Sequence, residues 1–304
     1  MSNPIFTMMV GVSGSGKSTV AAEIAKKTGA EIVSSDMIRG EIYGDENCQA
    51  NPAKVFEIIL QRVQRALREG RDVIMDATNL SCKRRMAFLK TLKGISCKRT
   101  CVVVITTPED IEKRMRLRER KVPMDVVHKH ICQFQCPNYY EGWDEIEVRY
   151  TSASSDMFGS YMKLLQETHM PHDNHHHTLD IYDHMLAARE HMERNPKADN
   201  DDEWVAYIHD WGKPRVKTFA NAKGEKTEEA HYYGHQNYGA YYSLLFDSSF
   251  VGRLDLDLDN ACLVQWHMEH YIRHGQALEK FYEMIGPELT RRLKLLEEAD
   301  KAAH

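Results

Sequence analysis

Short apolar runs alternate with amphipathic stretches through the first half of the chain, and beyond it the short runs give way. The runs at 6–10, 31–33, 72–75, 101–105 and 146–149 are rich in Val, Ile and Met and have strand length. Between them, apolar positions recur every three to four residues over 53–69 and 83–93, the period of a helix with one buried face. This alternation predicts βαβ units and an α/β domain built on a five-stranded parallel sheet with helices on both faces. A small polar run at 151–155 reads as a linker. Beyond it the helical period dominates, at 178–193, 202–211, 238–245, 259–271 and 287–303, and predicts an all-α second domain. The expected division is a first domain at 1–150, a linker and connecting helix at 151–171, and a second domain at 172–304.

Residues 11–19, GVSGSGKST, stand between the first strand and a helical stretch at 18–27 and match G-x-x-x-x-G-K-[ST]. Glycines in such a loop let backbone N–H groups turn inward, and the helix that follows adds its positive end, which makes an anion cradle. ATP contacts are expected from Gly11, Ser13, Gly14, Ser15, Gly16, Lys17, Ser18 and Thr19. Lys17 would reach the β- and γ-phosphates and Ser18 would hold Mg2+.

Composition changes this picture little; charge changes it more. At 42% hydrophobic and 28% charged, the chain has the make-up of a soluble globular protein. No apolar run reaches membrane-spanning length and no signal-peptide pattern opens the chain, so neither a membrane span nor secretion is expected. Seven cysteines at irregular spacing argue against a disulfide framework and for a reducing, cytoplasmic setting, the host cytoplasm if the gene is a phage's. The net charge of −5 hides a split: residues 1–150 carry 24 basic and 19 acidic side chains, whereas 151–304 carry 16 and 26. A basic half suits a polyanion-binding module. Fourteen of the sixteen histidines lie at or after His169, so the two halves are expected to run different chemistries.

In the first half, the loops after the predicted strands carry the remaining chemistry. Asp36 follows the second strand and Asp76 the third, which brings both to the crevice at the carboxyl ends of a parallel sheet. Asp36 could accept the proton of an attacking hydroxyl, and Arg39 could clamp a phosphate on the acceptor. Arg114 and Arg118 share a helix face after the fourth strand, where mobile arginines can stabilise a transferring phosphoryl group. No N-K-x-D guanine signature accompanies the loop.

The segments SSDMIRG, DATNLSCKRR and KRMRLRERKVPMDV, with the glycine loop, resemble the kinase domain of phage 5′-polynucleotide kinases over roughly residues 5–150. The resemblance implies ATP- and Mg2+-dependent phosphorylation of a 5′-hydroxyl on RNA or DNA. It also implies Asp36 as general base, Arg39 on the acceptor's 3′-phosphate, Asp76 as a residue holding that site, and Arg114 and Arg118 as lid arginines.

In the second half, His209 and Asp210 are adjacent and run into Gly212-Lys213. Candidate partners for a metal are His184, His235, His267 and Asp300, each on or at the start of a predicted helix or loop. Imidazole and carboxylate donors suit Mn2+, Fe2+, Co2+, Ni2+ or Zn2+ rather than Ca2+. Six ligands could hold two metals; four (His184, His209, Asp210, Asp300) would hold one. His175, His176 and His177 read as a loop. The strings HHTLDIYDHML, YIHDWGKP, YYGHQNYGA and EADKAAH resemble the HD-superfamily domain attached to bacterial CCA-adding tRNA nucleotidyltransferases, over about 172–304. That resemblance implies an all-α HD phosphohydrolase fold, phosphoester hydrolysis at RNA ends, and Lys213 as a phosphate-binding or catalytic cation.

Together these readings describe a P-loop kinase domain followed by an HD domain, a bifunctional enzyme healing nucleic-acid ends (RNA, tRNA among them, or DNA) for a downstream ligase. The alternatives are a kinase for a nucleoside or other metabolite whose HD half hydrolyses nucleotides, or an HD half that only senses them.

Overall fold

A computed structural model describes residues 3–117, 122–174, 178–250 and 254–303. Arg118 and His175, His176 and His177 lie outside the described residues. The chain divides into two compact units, Met1–Val127 with Pro137–Thr151, and His128–Cys136 with Ser152–His304. The segment 128–136, expected in the first domain, therefore groups with the second unit.

The first unit runs β1 (Ile5–Val10), α1 (Lys17–Thr28), β2 (Glu31–Ser34), α2 (Ser35–Tyr43), α3 (Pro52–Arg68), β3 (Val73–Asp76), α4 (Cys82–Thr91), β4 (Lys98–Ile105) and α5 (Pro108–Leu117). Then come α6 (Met124–Cys132), whose last turns belong to the second unit, and β5 (Glu145–Tyr150). All five strands are parallel, in the order β2-β3-β1-β4-β5. Strand periodicity sends Met9, Ile74, Val102 and Val104 to one face, where Val20 and Ala21 of α1 cover them. Phe6 points to the other face and stacks on Phe88 of α4, with ring centroids 5.5 Å apart. Connections leave β1 toward β3 and β2 but leave β3 toward β4, so the order reverses beside β1. Ligand crevices form at the carboxyl ends of strands at such a reversal.

One buried ion pair fixes α4. Arg85 donates from Nε to Glu141 Oε2 at 2.8 Å and from a terminal nitrogen to Oε1 at 2.5 Å, and also to the carbonyls of Asn79 and Leu80 at 3.0 Å. Trp143 donates to the same carboxylate at 3.0 Å. Both charges are fully buried, and every donor on that face of the guanidinium has an acceptor.

The second unit continues with α7 (Ser154–Thr168), α8 (Ile181–Glu193), α9 (Asn200–Ile208) and α10 (Lys213–Val216), then β6 (Thr218–Ala220) and β7 (Lys226–His231). It ends with α11 (His235–Phe250), α12 (Leu254–Trp266), α13 (Glu269–Ile272), α14 (Gln276–Ile285) and α15 (Pro287–Ala302). The strands β6 and β7 form an antiparallel pair, so the unit is not wholly helical. The turn between them explains why helical periodicity missed it: Gly224 has φ +84°, and Asn221 Oδ1 accepts from the amides of Lys223 and Glu225. The core gathers α8, α9, α11, α12 and α15. Asp202 caps α9 reciprocally with Asp199 and accepts from Arg292 of α15 at 2.6 Å, while Arg292 also reaches Asn260 of α12 at 2.9 Å. Among the described residues no helix is long and apolar enough to cross a membrane.

Arg85→Met is expected to lower the stability of the first unit by about 3–5 kcal/mol, because Glu141 is left buried and unpaired. Urea denaturation checks this, and the double variant with Glu141→Leu should recover part of the loss.

Candidate functional site

The glycine loop closes on itself before any ligand is considered. Gly14 and Gly16 have φ +84° and +94°, and a Cβ on Gly14 would lie 2.4 Å from Met115 of α5. Gly16 caps α1 without any side-chain hydrogen bond, and the first turn carries no acidic residue. The N-terminal amides of α1 thus face the loop with no competing anion. Lys17 Nζ donates to Val12 O at 2.7 Å, curled over the loop, and Ser18 and Thr19 are exposed. Ser15 Oγ is buried with no hydrogen-bond partner among the described residues. Arg114 donates to Ser15 O at 3.2 Å and to Thr151 Oγ1 at 3.0 Å, so it sits on the loop. Thr151, read from sequence as linker, donates in turn to Ser15 O at 2.7 Å. Arg118, its expected companion, is outside the described residues.

Register brings the residues expected at an acceptor beside that loop. Ser34 of β2 pairs with Asp76 of β3, and Asn79 Nδ2 donates to Met9 O at 2.8 Å while Gly11 N donates to Thr78 O at 3.1 Å. The loops after β1 and β3 are therefore stitched together, with Asp36 two residues past Ser34. Ser34 caps α2 by accepting from Asp36 N, and Arg39 one turn later donates to Asp36 Oδ1 at 2.6 Å. Arg39 is largely covered, Asp36 is 43% exposed, and Asp76 is buried. The cleft thus presents an oriented carboxylate, an arginine and a lysine around an anion cradle, the parts a phosphoryl transfer needs.

The second unit buries a compact cluster. His184 (α8), His209 and Asp210 (after α9), His235 (start of α11), His267 (after α12) and Asp300 (α15) are all buried. Each histidine points its Nδ1 at a backbone carbonyl: Ala303 O at 3.2 Å for His184, Ala206 O at 2.7 Å for His209, Tyr232 O at 2.8 Å for His235 and Val264 O at 2.6 Å for His267. A carbonyl only accepts, so each Nδ1 carries the proton and each Nε2 offers a lone pair inward. Those nitrogens meet in pairs, His184 with His209 at 3.2 Å and His235 with His267 at 3.1 Å. Two lone pairs at that distance repel unless a proton or cation stands between them.

Asp210 faces both pairs. Its Oδ2 is 3.5 Å from His184 Nε2 and 3.4 Å from His209 Nε2, while Oδ1 is 3.5 Å from His235 Nε2 and 3.8 Å from His267 Nε2. Asp300 joins the first pair, 3.1 Å from His184 and 3.4 Å from His209. The six donors thus form two clusters that share one carboxylate, and each has the spacing to hold one cation. Nitrogen and carboxylate oxygen together suit a first-row transition metal.

The protonation pattern shows the same demand for positive charge. Burial opposes protonation of His209, yet Asp210 and Asp300 raise it to about 10. Burial would lift both carboxyls, but Lys213 and His209 hold Asp210 well below the carboxylate range, and His184 and His209 do so for Asp300. His267, buried beside His235 and His209, drops to about 3.

Lys213 Nζ lies 2.6 Å from Asp210 Oδ2 and 3.1 Å from His172 Nε2. Nothing in the sequence distinguishes His172. A bridge between Pro171 and Asp180 closes the loop that aims it, and its Nδ1 donates to Leu179 O at 2.9 Å. Gly212 contributes through its missing side chain. A Cβ there would lie 1.9 Å from His235 O, so only hydrogen lets α11 begin against the turn that carries His209 and Asp210.

Residues 6–136 match the family model described as AAA domain. No curated protein matches the chain. Among solved structures, similarity reaches a chain of the Pnkp1/Rnl/Hen1 RNA repair complex at 22% identity and TM-score 0.40, over 44% of this chain and 44% of that one. A gluconokinase from Sinorhizobium meliloti 1021 is similar at 18% identity and TM-score 0.36, over 50% of this chain and 86% of that one. The Mycobacterium tuberculosis APS kinase CysC is similar at 18% identity and TM-score 0.37, over 55% and 97%. This chain thus spans less than half the length of the repair-complex chain.

Gly212→Ala is expected to weaken Mn2+ binding by pushing back the start of α11, and with it His235, without removing any donor. Isothermal titration with Mn2+ should show weaker binding through the His235–His267 cluster alone, whereas Asp210→Asn should weaken both clusters.

Proposed function

We propose that this protein heals broken polynucleotide ends: its first unit phosphorylates a 5′-hydroxyl from ATP, and its second hydrolyses a 2′,3′-cyclic phosphate or 3′-phosphate. The observation that carries the reading is the pairing, in one chain, of a phosphoryl-transfer cleft in a basic half with a buried, two-lobed His/Asp cluster in an acidic half. The two reactions are complementary on a cleaved strand, leaving the 5′-phosphate and 3′-hydroxyl that a ligase joins.

In the first unit, Asp36 accepts the proton of the 5′-hydroxyl as its oxygen attacks the γ-phosphorus, and ADP leaves. The Asp36–Arg39 pair orients the carboxylate and leaves the remaining guanidinium edge for an acceptor phosphate. Lys17 neutralises charge developing on the β- and γ-oxygens, and Arg114 holds the loop against α5. Mg2+ at Ser18 supplies further neutralisation of the triphosphate when bound.

In the second unit, His184, His209, Asp210, His235, His267 and Asp300 would hold one or two divalent transition metals, which supply Lewis acidity toward water and phosphate oxygens. Lys213, kept beside Asp210, presents an ammonium to a phosphate oxygen at the same place. His172 holds that ammonium from the other side.

A tRNA cut to 5′-hydroxyl and 2′,3′-cyclic phosphate ends, incubated with ATP and Mn2+, checks both activities on one substrate. Lys17→Ala should cut 5′ phosphorylation by on the order of 10²–10³-fold and leave 3′ healing intact, and Asp210→Ala should do the reverse. Transfer to nucleosides or metabolites but never to oligonucleotides would replace this reading with a small-molecule kinase.

A further inference from the structure

The outer face of α4 is a basic track leading away from the acceptor cleft. Between Asp76 and Glu109 the chain carries seven basic residues and no acidic one. Arg85 turns inward to Glu141, and Phe88, Leu89 and Leu92 pack into the core or onto β1, so the helix has one fixed orientation. Lys83, Arg84 and Lys90 stand on the opposite side and Lys93 just past the helix end, all exposed. None of these four has an acidic partner among the described residues. The carboxylates of the segment 141–145 are already engaged: Glu141 by Arg85 and Trp143, Glu145 by Lys98 at 2.6 Å, and Asp144 by the amide of Arg99 at 2.7 Å.

The direction of α4 gives this track a meaning. The helix starts six residues after Asp76, at the carboxyl edge of the sheet, and runs back toward the start of β4. Lys83 and Arg84 are thus at the cleft, and Lys90 and Lys93 are at the far end, roughly 10–15 Å on. A single turn of 3-10 helix, Tyr139–Glu141, is held against the first turn of α4 by the Arg85–Glu141 pair and by a Cys82 Sγ–Tyr140 Oη contact at 3.4 Å. Tyr139 in that turn leaves 48% of its surface exposed. Aligned cations with an exposed aromatic ring fit a flexible strand that offers both phosphates and unstacked bases.

We propose that α4 and Tyr139 form the docking surface for a single-stranded polynucleotide whose 5′ nucleotide occupies the cleft, with the following nucleotides running along Lys83, Lys90 and Lys93. The inference rests on the 5′-kinase reading above and adds to it the path of the acceptor and a preference for longer strands.

Steady-state kinase assays on a 5′-hydroxyl dinucleotide and a 5′-hydroxyl 16-mer, each across a range of salt concentrations, test it with the full chain. Wild type should have a lower KM for the 16-mer, with a steeper salt dependence. Lys83→Ala/Lys90→Ala/Lys93→Ala should raise the 16-mer KM at least tenfold and reduce its log–log salt slope by about 2, since each phosphate contact on a single strand contributes about 0.7. The dinucleotide kcat should not move, and its KM should rise far less than that of the 16-mer, since its second nucleotide reaches Lys83 alone. Tyr139→Ala should raise the 16-mer KM by about tenfold with the salt slope unchanged, the signature of lost stacking. Lys90→Arg/Lys93→Arg, which keeps the charge, should behave as wild type and serves as the folding control. Equal KM and equal salt slope for the 16-mer in wild type and triple variant would overturn the surface while leaving the kinase reading in place. If wild type phosphorylates neither oligonucleotide, the kinase reading itself falls, and this surface with it.

Discussion

The carboxylate of Asp210 is buried, and a charge taken out of water has to find its counter-charge within a few ångströms. Much of the second unit is arranged around that requirement. Four elements bring imidazoles to it, four backbone carbonyls fix their tautomers, and Lys213 supplies positive charge on the remaining side. Asp300 adds a second negative charge that a bound cation would offset. The same constraint acts elsewhere in the chain. Arg292 spans from α15 to Asp202 at the start of α9, and in the first unit Arg85 and Glu141 neutralise each other inside the fold. In the glycine loop the requirement is inverted, because an uncapped helix terminus offers partial positive charge to an anion that comes from outside.

Neutralisation and orientation are separable in these sites. Asp36 keeps 43% of its side chain open to solvent, and Arg39 fixes its direction rather than enclosing it. In the proposed reaction, a carboxylate that exchanges a proton with a substrate hydroxyl needs that access. Asp210 is enclosed on every side by nitrogen donors, which suits a fixed ligand and not a proton shuttle. The two units thus use aspartate in opposite ways, and burial makes the difference.

Much of this was legible in the amino-acid order. The five strands fall where the apolar runs predict; for β1, β3 and β4 the reason is that a parallel strand buried on both faces needs an unbroken apolar stretch. The adjacency of His209 and Asp210 and the glycine loop are local patterns, readable because their residues are neighbours in sequence. The β6–β7 hairpin was not legible: its strands, TFA and KTEEAH, are polar and short, and the turn chemistry of Asn221 and Gly224 defines them more than any alternation. His172, Gly212 and Thr151 were also invisible as site residues. Each acts through a partner 23 or more positions away: Lys213 at 41 positions from His172, His235 at 23 from Gly212, and Ser15 at 136 from Thr151.

The sequence by itself determined which segments become strands and helices, which loop can cradle phosphate, and which residue types could ligate a metal, since these depend on period and local chemistry. Tertiary structure alone decided that Asp210 faces two histidine pairs rather than one, that Arg85 turns inward while Lys83 and Lys90 of the same helix stay free, and that Arg39 holds Asp36. These outcomes depend on distances between side chains on different elements or on which face of a helix is buried. Such distances are set by packing, and packing is a property of the whole fold.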